Sequence, residues 1–206
     1  MKTDRTVLSM TLLLAAMSSC SLFEPREPED PDPGGEITWQ QPYAPQTVVL
    51  NLENAMEGRS ISMTMACCDS SYLFIADGAD TTEFGGSFDF SGWTYDVEQN
   101  TLMNIYNFVQ GSGLSEDSLV SVIMNVVPEL PDPVAPSDSA TLWRDYEIVA
   151  AGSEYAGWDS PASGRVEFKM VEDVYGLWSI GRCNDYRPDG YTGENYTWGV
   201  AKASFR

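Results

Sequence analysis

The chain has 206 residues, with 31 acidic against 11 basic side chains, a formal net charge of −20 and no histidine. That charge excludes a nucleic-acid surface, which needs clustered Lys and Arg to meet phosphate, and it opposes peripheral attachment to anionic lipid. The absence of histidine excludes Ser-His-Asp triads, Cys-His pairs and His-ligated zinc, which leaves any chemistry to Asp, Glu, Tyr, Arg or Cys.

In chain order, Lys2 and Arg5 flank an apolar run from Val7 to Met17 that only Ser9 and Thr11 interrupt. A charged start, a short apolar stretch and small residues before a cleavage point predict a secretory signal over 1–19. The run is too short for a spanning helix, which needs roughly 20 apolar residues. Its end, Met17-Ser18-Ser19-Cys20, resembles a bacterial lipobox, with Met17 in place of the usual Leu. That resemblance implies lipid on Cys20, a protein hung on the membrane through that residue, and an extracytoplasmic location in the bacterial cell envelope. After Cys20 come Pro25, Pro28, Pro31 and Pro33 among Glu24, Glu27, Glu29, Asp30 and Asp32. Such a segment has little to bury, so 20–44 reads as a solvated acidic tether.

The folded domain is expected over 45–206. Pro45 to Gly58 places Val48, Val49, Leu52 and Met56 on one helical face, with Pro45 suited to the first turn and Gly58 to the exit. Ser60 can cap a second short helix carrying Ile61, Met63 and Met65. Ser71 to Asp77 is a compact apolar run and predicts a buried strand. Gly78 to Gly92, rich in Gly, Asp and Thr, reads as a loop. Its Asp77–Glu83 portion lacks the alternating acids and placed glycine of a calcium loop. A third helix is expected from Trp93 to Val109. The pattern then changes to period two over Asp117–Val127, Thr141–Ala151, Gly164–Val171 and Leu177–Tyr186, which predicts an antiparallel meander. Helices followed by such a meander predict an α+β domain with N-terminal helices packed on a curved, mostly antiparallel sheet.

With Cys20 lipidated, Cys67, Cys68 and Cys183 remain in an oxidising compartment. A bridge from Cys67 or Cys68 to Cys183, or three buried thiols, are the two readings; adjacent Cys67 and Cys68 are too close to pair without strain. No spaced CxxC exists, and neither a metal nor a cofactor is expected.

The element order, with "YGLWSIGRCND" (Tyr175–Asp185) after "GRVEFKMVED" (Gly164–Asp173) and the tail "YTWGVAKASFR", resembles the nuclear transport factor 2-like superfamily, as found in uncharacterised bacterial lipoproteins. The resemblance spans roughly 45–206 and implies a cone of curved sheet closed by helices. It also implies a homodimer through the sheet and a cone whose interior Tyr72, Phe74, Tyr106, Tyr146 and Trp178 either line together with Arg182 or fill as plain core packing. Members of that superfamily include isomerases that work with Asp and Tyr alone, but no catalytic set transfers residue by residue. Arg144 to Glu147 and Arg182 to Asp185 read as surface or sheet-edge ion pairs. Two functions follow: a non-catalytic module binding a small apolar ligand or an envelope protein, which is favoured, and an Asp/Tyr-based isomerase or hydrolase using the cone. A sugar-binding β-sandwich is opposed by the helical first half.

Overall fold

The computed structural model describes residues 37–111, 120–134, 136–151, 161–188, 190–193 and 196–206. Its elements are α1 (Pro45–Glu57), α2 (Ile61–Ala66), β1 (Cys68–Ile75), α3 (Gly78–Phe84), α4 (Tyr95–Gln110), β2 (Val120–Val126), β3 (Ser139–Ala150), β4 (Ala162–Glu172), β5 (Trp178–Tyr186) and α5 (Trp198–Ala203). The strands form one sheet in the order β1-β5-β4-β3-β2. The meander from β2 to β5 is antiparallel, and β1 joins its far side parallel to β5. This is the α+β architecture expected from the sequence, with helices covering one face of the sheet.

Local chemistry explains the helices. Pro45 opens α1, whose buried side is Val48, Val49, Leu52, Ala55 and Met56. The Ser60 hydroxyl accepts from the Met63 N–H and caps α2. On α1, the Glu53 carboxylate accepts from the Met124 N–H at 2.8 Å and Glu57 from the Val122 N–H at 3.1 Å. These two acids thereby occupy donors along the free edge of β2, an edge that would otherwise invite another strand.

One expectation changes. Gly78–Phe84 is helical, with the Asp77 carboxylate accepting from the Ala79 N–H at 2.6 Å as its cap. The tail after Tyr196 is also helical, and its residues from Gly199 to Ala203 are all buried.

The core lies between the helices and the inner face of the sheet. Leu142, Tyr146 and Ile148 of β3, Val166, Phe168 and Met170 of β4, and Trp178, Ile180 and Cys183 of β5 meet Val48, Met56, Leu102, Ile105 and Val109 of the helices. The alternation in β5 is broken. Lys169 pairs with Arg182 while Met170 pairs with Ile180, so Gly181 is an extra residue in β5. A bulge of this kind flips every later side chain to the opposite face.

Candidate functional site

The inner face of the sheet encloses a cavity of about 40 Å³. Its walls are largely apolar, with Phe74, Leu102, Ile148, Phe168 and Ile180 among them, and its polar groups are few: Thr64, Tyr72, Tyr146, Asp185, Glu98 and Lys202. Two of these come from strands that are not neighbours. The Tyr146 hydroxyl on β3 donates to Asp185 Oδ1 on β5 at 2.6 Å. The C-terminal helix completes the arrangement, with the Trp198 N–H donating to the Tyr146 hydroxyl at 2.7 Å and the Gly199 N–H to Asp185 Oδ2 at 2.6 Å.

Complete burial pushes the Asp185 carboxyl up, to about 7, against the hydrogen bonds from Tyr146 and Gly199 and the charge of Lys202, which favour the carboxylate. Burial and the adjacent Asp185 hold the Tyr146 phenol well above its ordinary value. Chemically, a carboxyl poised near neutrality beside a phenol is an acid–base pair. Here both carboxyl oxygens and the phenol oxygen already hold donors from the chain itself.

Lys202 is 1 % exposed and sits between both oxygens of Glu98, each at 2.8 Å. Glu98 also accepts from the Trp93 indole N–H at 2.6 Å. The Lys202 ammonium lies 3.4 Å from the Phe74 ring centroid and 5.0 Å from that of Trp93, so aromatic faces replace much of its lost hydration. A third buried group, Asp80 of α3, accepts from the Arg187 guanidinium at 2.7 Å and from the Thr197 hydroxyl at 2.6 Å. The three clusters share one result: each ties α5, or the Thr197 that caps it, to the body of the domain.

Of the residues expected to line the cone, Tyr72, Phe74 and Tyr146 line the cavity. Tyr106 is buried beside it, 3.4 Å from the Thr64 hydroxyl, and Trp178 is buried elsewhere in the core. Arg182 is not an interior residue. The Gly181 bulge turns it onto the solvent face and turns Cys183 and Asp185 inward. Asp185, expected in a surface ion pair, is 2 % exposed, and the buried Arg144 instead holds Asp132 through its two terminal guanidinium nitrogens at 2.7 and 2.8 Å. The Arg144 and Asp185 positions therefore correct the surface reading.

Cys67, Cys68 and Cys183 are free thiols, so the bridge to Cys183 is not formed. The register gives the reason. Cys68 is opposite Ile180, whereas the β1 residue opposite Cys183 is Phe74. Burial pushes the Cys67 thiol up to about 12 and raises Cys68 and Cys183 as well, so none is a ready nucleophile. Cys68 and Tyr72 also line an open cleft of about 720 Å³ with Ser70, Ser71, Thr94 and Asp96, and so form the wall between that cleft and the interior. Among the described residues no cluster of Asp, Glu and Cys is arranged to hold a metal ion. Cys20 lies outside the described residues, and no helix among those described is long and apolar enough to cross a membrane.

No family model and no characterised protein matches the chain. Solved structures with a similar fold include an NTF-2-like protein of unknown function from Shewanella oneidensis, at 9 % identity and TM-score 0.43, over 68 % of this chain and 93 % of that one. A ketosteroid isomerase-like protein from Erwinia carotovora atroseptica is similar at 13 % identity and TM-score 0.44, over 69 % and 94 %. A Bdellovibrio bacteriovorus protein is similar at 10 % identity and TM-score 0.49, over 71 % of this chain but only 40 % of that one. At these identities and TM-scores the likeness assigns neither family nor function, and the α+β architecture rests on the chain's own element order and sheet topology.

Proposed function

We propose that the protein is a lipid-anchored, extracytoplasmic, non-catalytic module that works through protein contacts made by its outer surface. The observation that supports this reading is the occupied interior. A cavity of about 40 Å³ is far below the roughly 300–1,000 Å³ of small-molecule sites. Its acid, phenol and amine are each committed to partners within the chain. Binding energy for a substrate would first have to repay those contacts.

One observation favours the second reading, an Asp/Tyr isomerase or hydrolase. Asp185 is held near neutrality beside Tyr146, as an acid–base pair would be. Titration with 2-naphthol, a small apolar phenol, separates the two. The module shows no saturable binding. Saturable binding that Asp185→Asn abolishes, in a variant still folded by circular dichroism, overturns the occupied interior and with it the module that works through its outer surface alone. The anchor has its own test. The full chain expressed in a bacterium takes up a palmitate analogue and partitions into detergent, and Cys20→Ala does neither; equal labelling of that variant refutes the anchor.

A further inference from the structure

The most exposed apolar side chains of the domain gather at one end of the sheet. Among the described residues Val134 is fully exposed, Val174 is 93 % exposed, Tyr175 81 % and Tyr43 69 %, whereas no other large apolar side chain passes 48 %. Backbone hydrogen bonds bring their three segments together. At the end of β4, the Glu172 N–H donates at 3.0 Å to the carbonyl of Asp138, in the β2–β3 loop that carries Val134. At the start of β5, the Trp178 N–H donates to the Pro42 carbonyl at 2.8 Å, which brings the segment with Tyr43 to the β4–β5 turn.

That turn is firmly held. The Gly176 N–H donates to the Asp173 carbonyl at 3.1 Å and closes it, with Val174 and Tyr175 as its two central residues. Such positions ordinarily go to Asn, Asp, Ser, Pro or Gly. The Asp173 carboxylate accepts from the Tyr175 and Leu177 N–H groups at 2.8 and 2.9 Å, and Gly176 takes the positive φ of 76°. Val134 stands in a loop stiffened by Pro128, Pro131, Pro133 and Pro136. Asp132 fixes that loop to the buried Arg144 at 2.7 and 2.8 Å. Asp132 and Asp173 thus bond the chain itself, while valine and tyrosine side chains project outward. Gathered on a fixed frame, apolar side chains this exposed mark an interaction surface.

We propose that this end rests on the lipid bilayer that holds Cys20, with Val174 and Tyr175 foremost and Val134 and Tyr43 beside them in the headgroup region. The assignment rests on the lipid-anchor reading and adds to it how the domain stands. Tyrosine suits that depth, because its ring is apolar at one end and polar at the other. The tether makes a weak contact sufficient. From Cys20 to Ile37, the first described residue, the chain spans at most about 60 Å. The tip therefore stays near the bilayer at a high effective concentration. Glu129 and Glu172 at the same end select the lipid: zwitterionic headgroups accept this surface, and anionic ones repel it. The strands then stand upright on the membrane, which leaves the outer face of the sheet open to partners.

Depth quenching on the lipidated full chain tests it. The protein is purified in detergent from bacterial membranes and reconstituted into phosphatidylcholine vesicles. An environment-sensitive nitrobenzoxadiazole probe is placed on Val174→Cys or, as control, on Met103→Cys, an exposed position of α4. Parent protein treated alike supplies the background from the partly exposed Cys68. Phosphatidylcholine carrying a nitroxide near the headgroup is expected to quench the Val174 probe about twofold or more and the Met103 probe little. Phosphatidylglycerol in the vesicles reduces that quenching. Val134→Asp with Tyr175→Asp, both at exposed positions, abolishes it while the protein stays with the vesicles. A Val174 probe quenched no more than the Met103 probe overturns the proposal, and so does quenching that survives the double substitution. Emission that shifts to the blue without quenching also overturns it and assigns this end to a protein partner or a second copy. A chain that does not enter the vesicles at all refutes the anchor itself, and this contact with it.

Discussion

Tyr146 and Asp185 touch across an intervening strand: one is on β3, the other on β5, and β4 runs between them. Gly164 makes the reach possible. It is opposite Tyr146 in the register, and a Cβ there would lie 2.4 Å from the Tyr146 hydroxyl oxygen. The phenol lies in the space that any other residue would fill, and from there it connects two strands and the C-terminal helix through one oxygen atom.

Tyr146→Phe removes the hydroxyl that donates to the buried Asp185 carboxyl and accepts from the Trp198 N–H. The expected loss of stability is about 1–3 kcal/mol, the range for hydrogen bonds lost from buried groups. Urea unfolding followed by tryptophan fluorescence measures it. A variant within ~0.3 kcal/mol of the parent would show that the bridge contributes nothing.

Gly164→Ala acts on the same bridge from the other side. The methyl group conflicts with the Tyr146 ring and with the Tyr186 carbonyl, 2.7 Å away. Overpacking of this kind costs about 1–3 kcal/mol. Because the alanine already displaces the hydroxyl, adding Tyr146→Phe to it costs less than the two single changes together. Additive losses in that double-mutant cycle would separate the two positions.

Asp185 makes stability depend on pH in an unusual direction. Its carboxyl is raised from 3.8 to about 7 on folding, mainly by burial, so the folded state binds the proton more tightly than the unfolded chain. That contribution is complete below about pH 4 and is lost as the pH rises through about 7. Asp69, Asp89 and Glu167 are shifted downward and act in the opposite sense, in the acid range around and below their ordinary values. Between pH 5 and 7 the urea midpoint should therefore fall with rising pH, and Asp185→Asn should flatten that slope. The same slope in both proteins would assign the dependence to other groups.

Lys202→Met strands the Glu98 carboxylate with the Trp93 N–H as its remaining described donor. Breaking a buried ion pair from one side costs about 3–5 kcal/mol. Adding Glu98→Gln removes the stranded charge while keeping an acceptor for Trp93, so the double variant should recover part of the loss. Thermal unfolding of the three proteins decides this; a double variant less stable than Lys202→Met would show that Glu98 does not depend on Lys202.

Much of this fold is legible in the sequence because local signals and tertiary demands agree. Pro45, Ser60 and the 3.6-residue spacing of Val48, Leu52 and Met56 state the first two helices, and period-two alternation states the last three strands. Gly78–Phe84 conceals its helix, because Gly, Asp and Thr are poor helix formers. Tertiary bonds hold it instead, Asp80 to Arg187 and Thr197, and partners more than a hundred positions away leave no local pattern. Its one readable sign was Asp77, a capping residue at the right place. The interior polar groups are hidden for a related reason. Strict alternation from Trp178 and Ile180 leads to Arg182 and so places Asp185 on the wrong face. The cysteine pairing misleads likewise, since proximity of β1 to β5 says nothing of the register that sets Cys183 opposite Phe74.

Gly181 thus decides more than the shape of one strand. Everything after it in β5 owes its side to a single inserted residue, so composition and position are uncoupled there: the same letters, one residue shorter, would aim Arg182, Asn184 and Tyr186 at the core and send Cys183 and Asp185 into solvent. The outward Tyr186 and the buried acid of the interior are, in that sense, one trait. A lineage that lost this glycine would trade both at once, and a search for relatives by side-chain chemistry alone would miss those that keep the residues but not the phase.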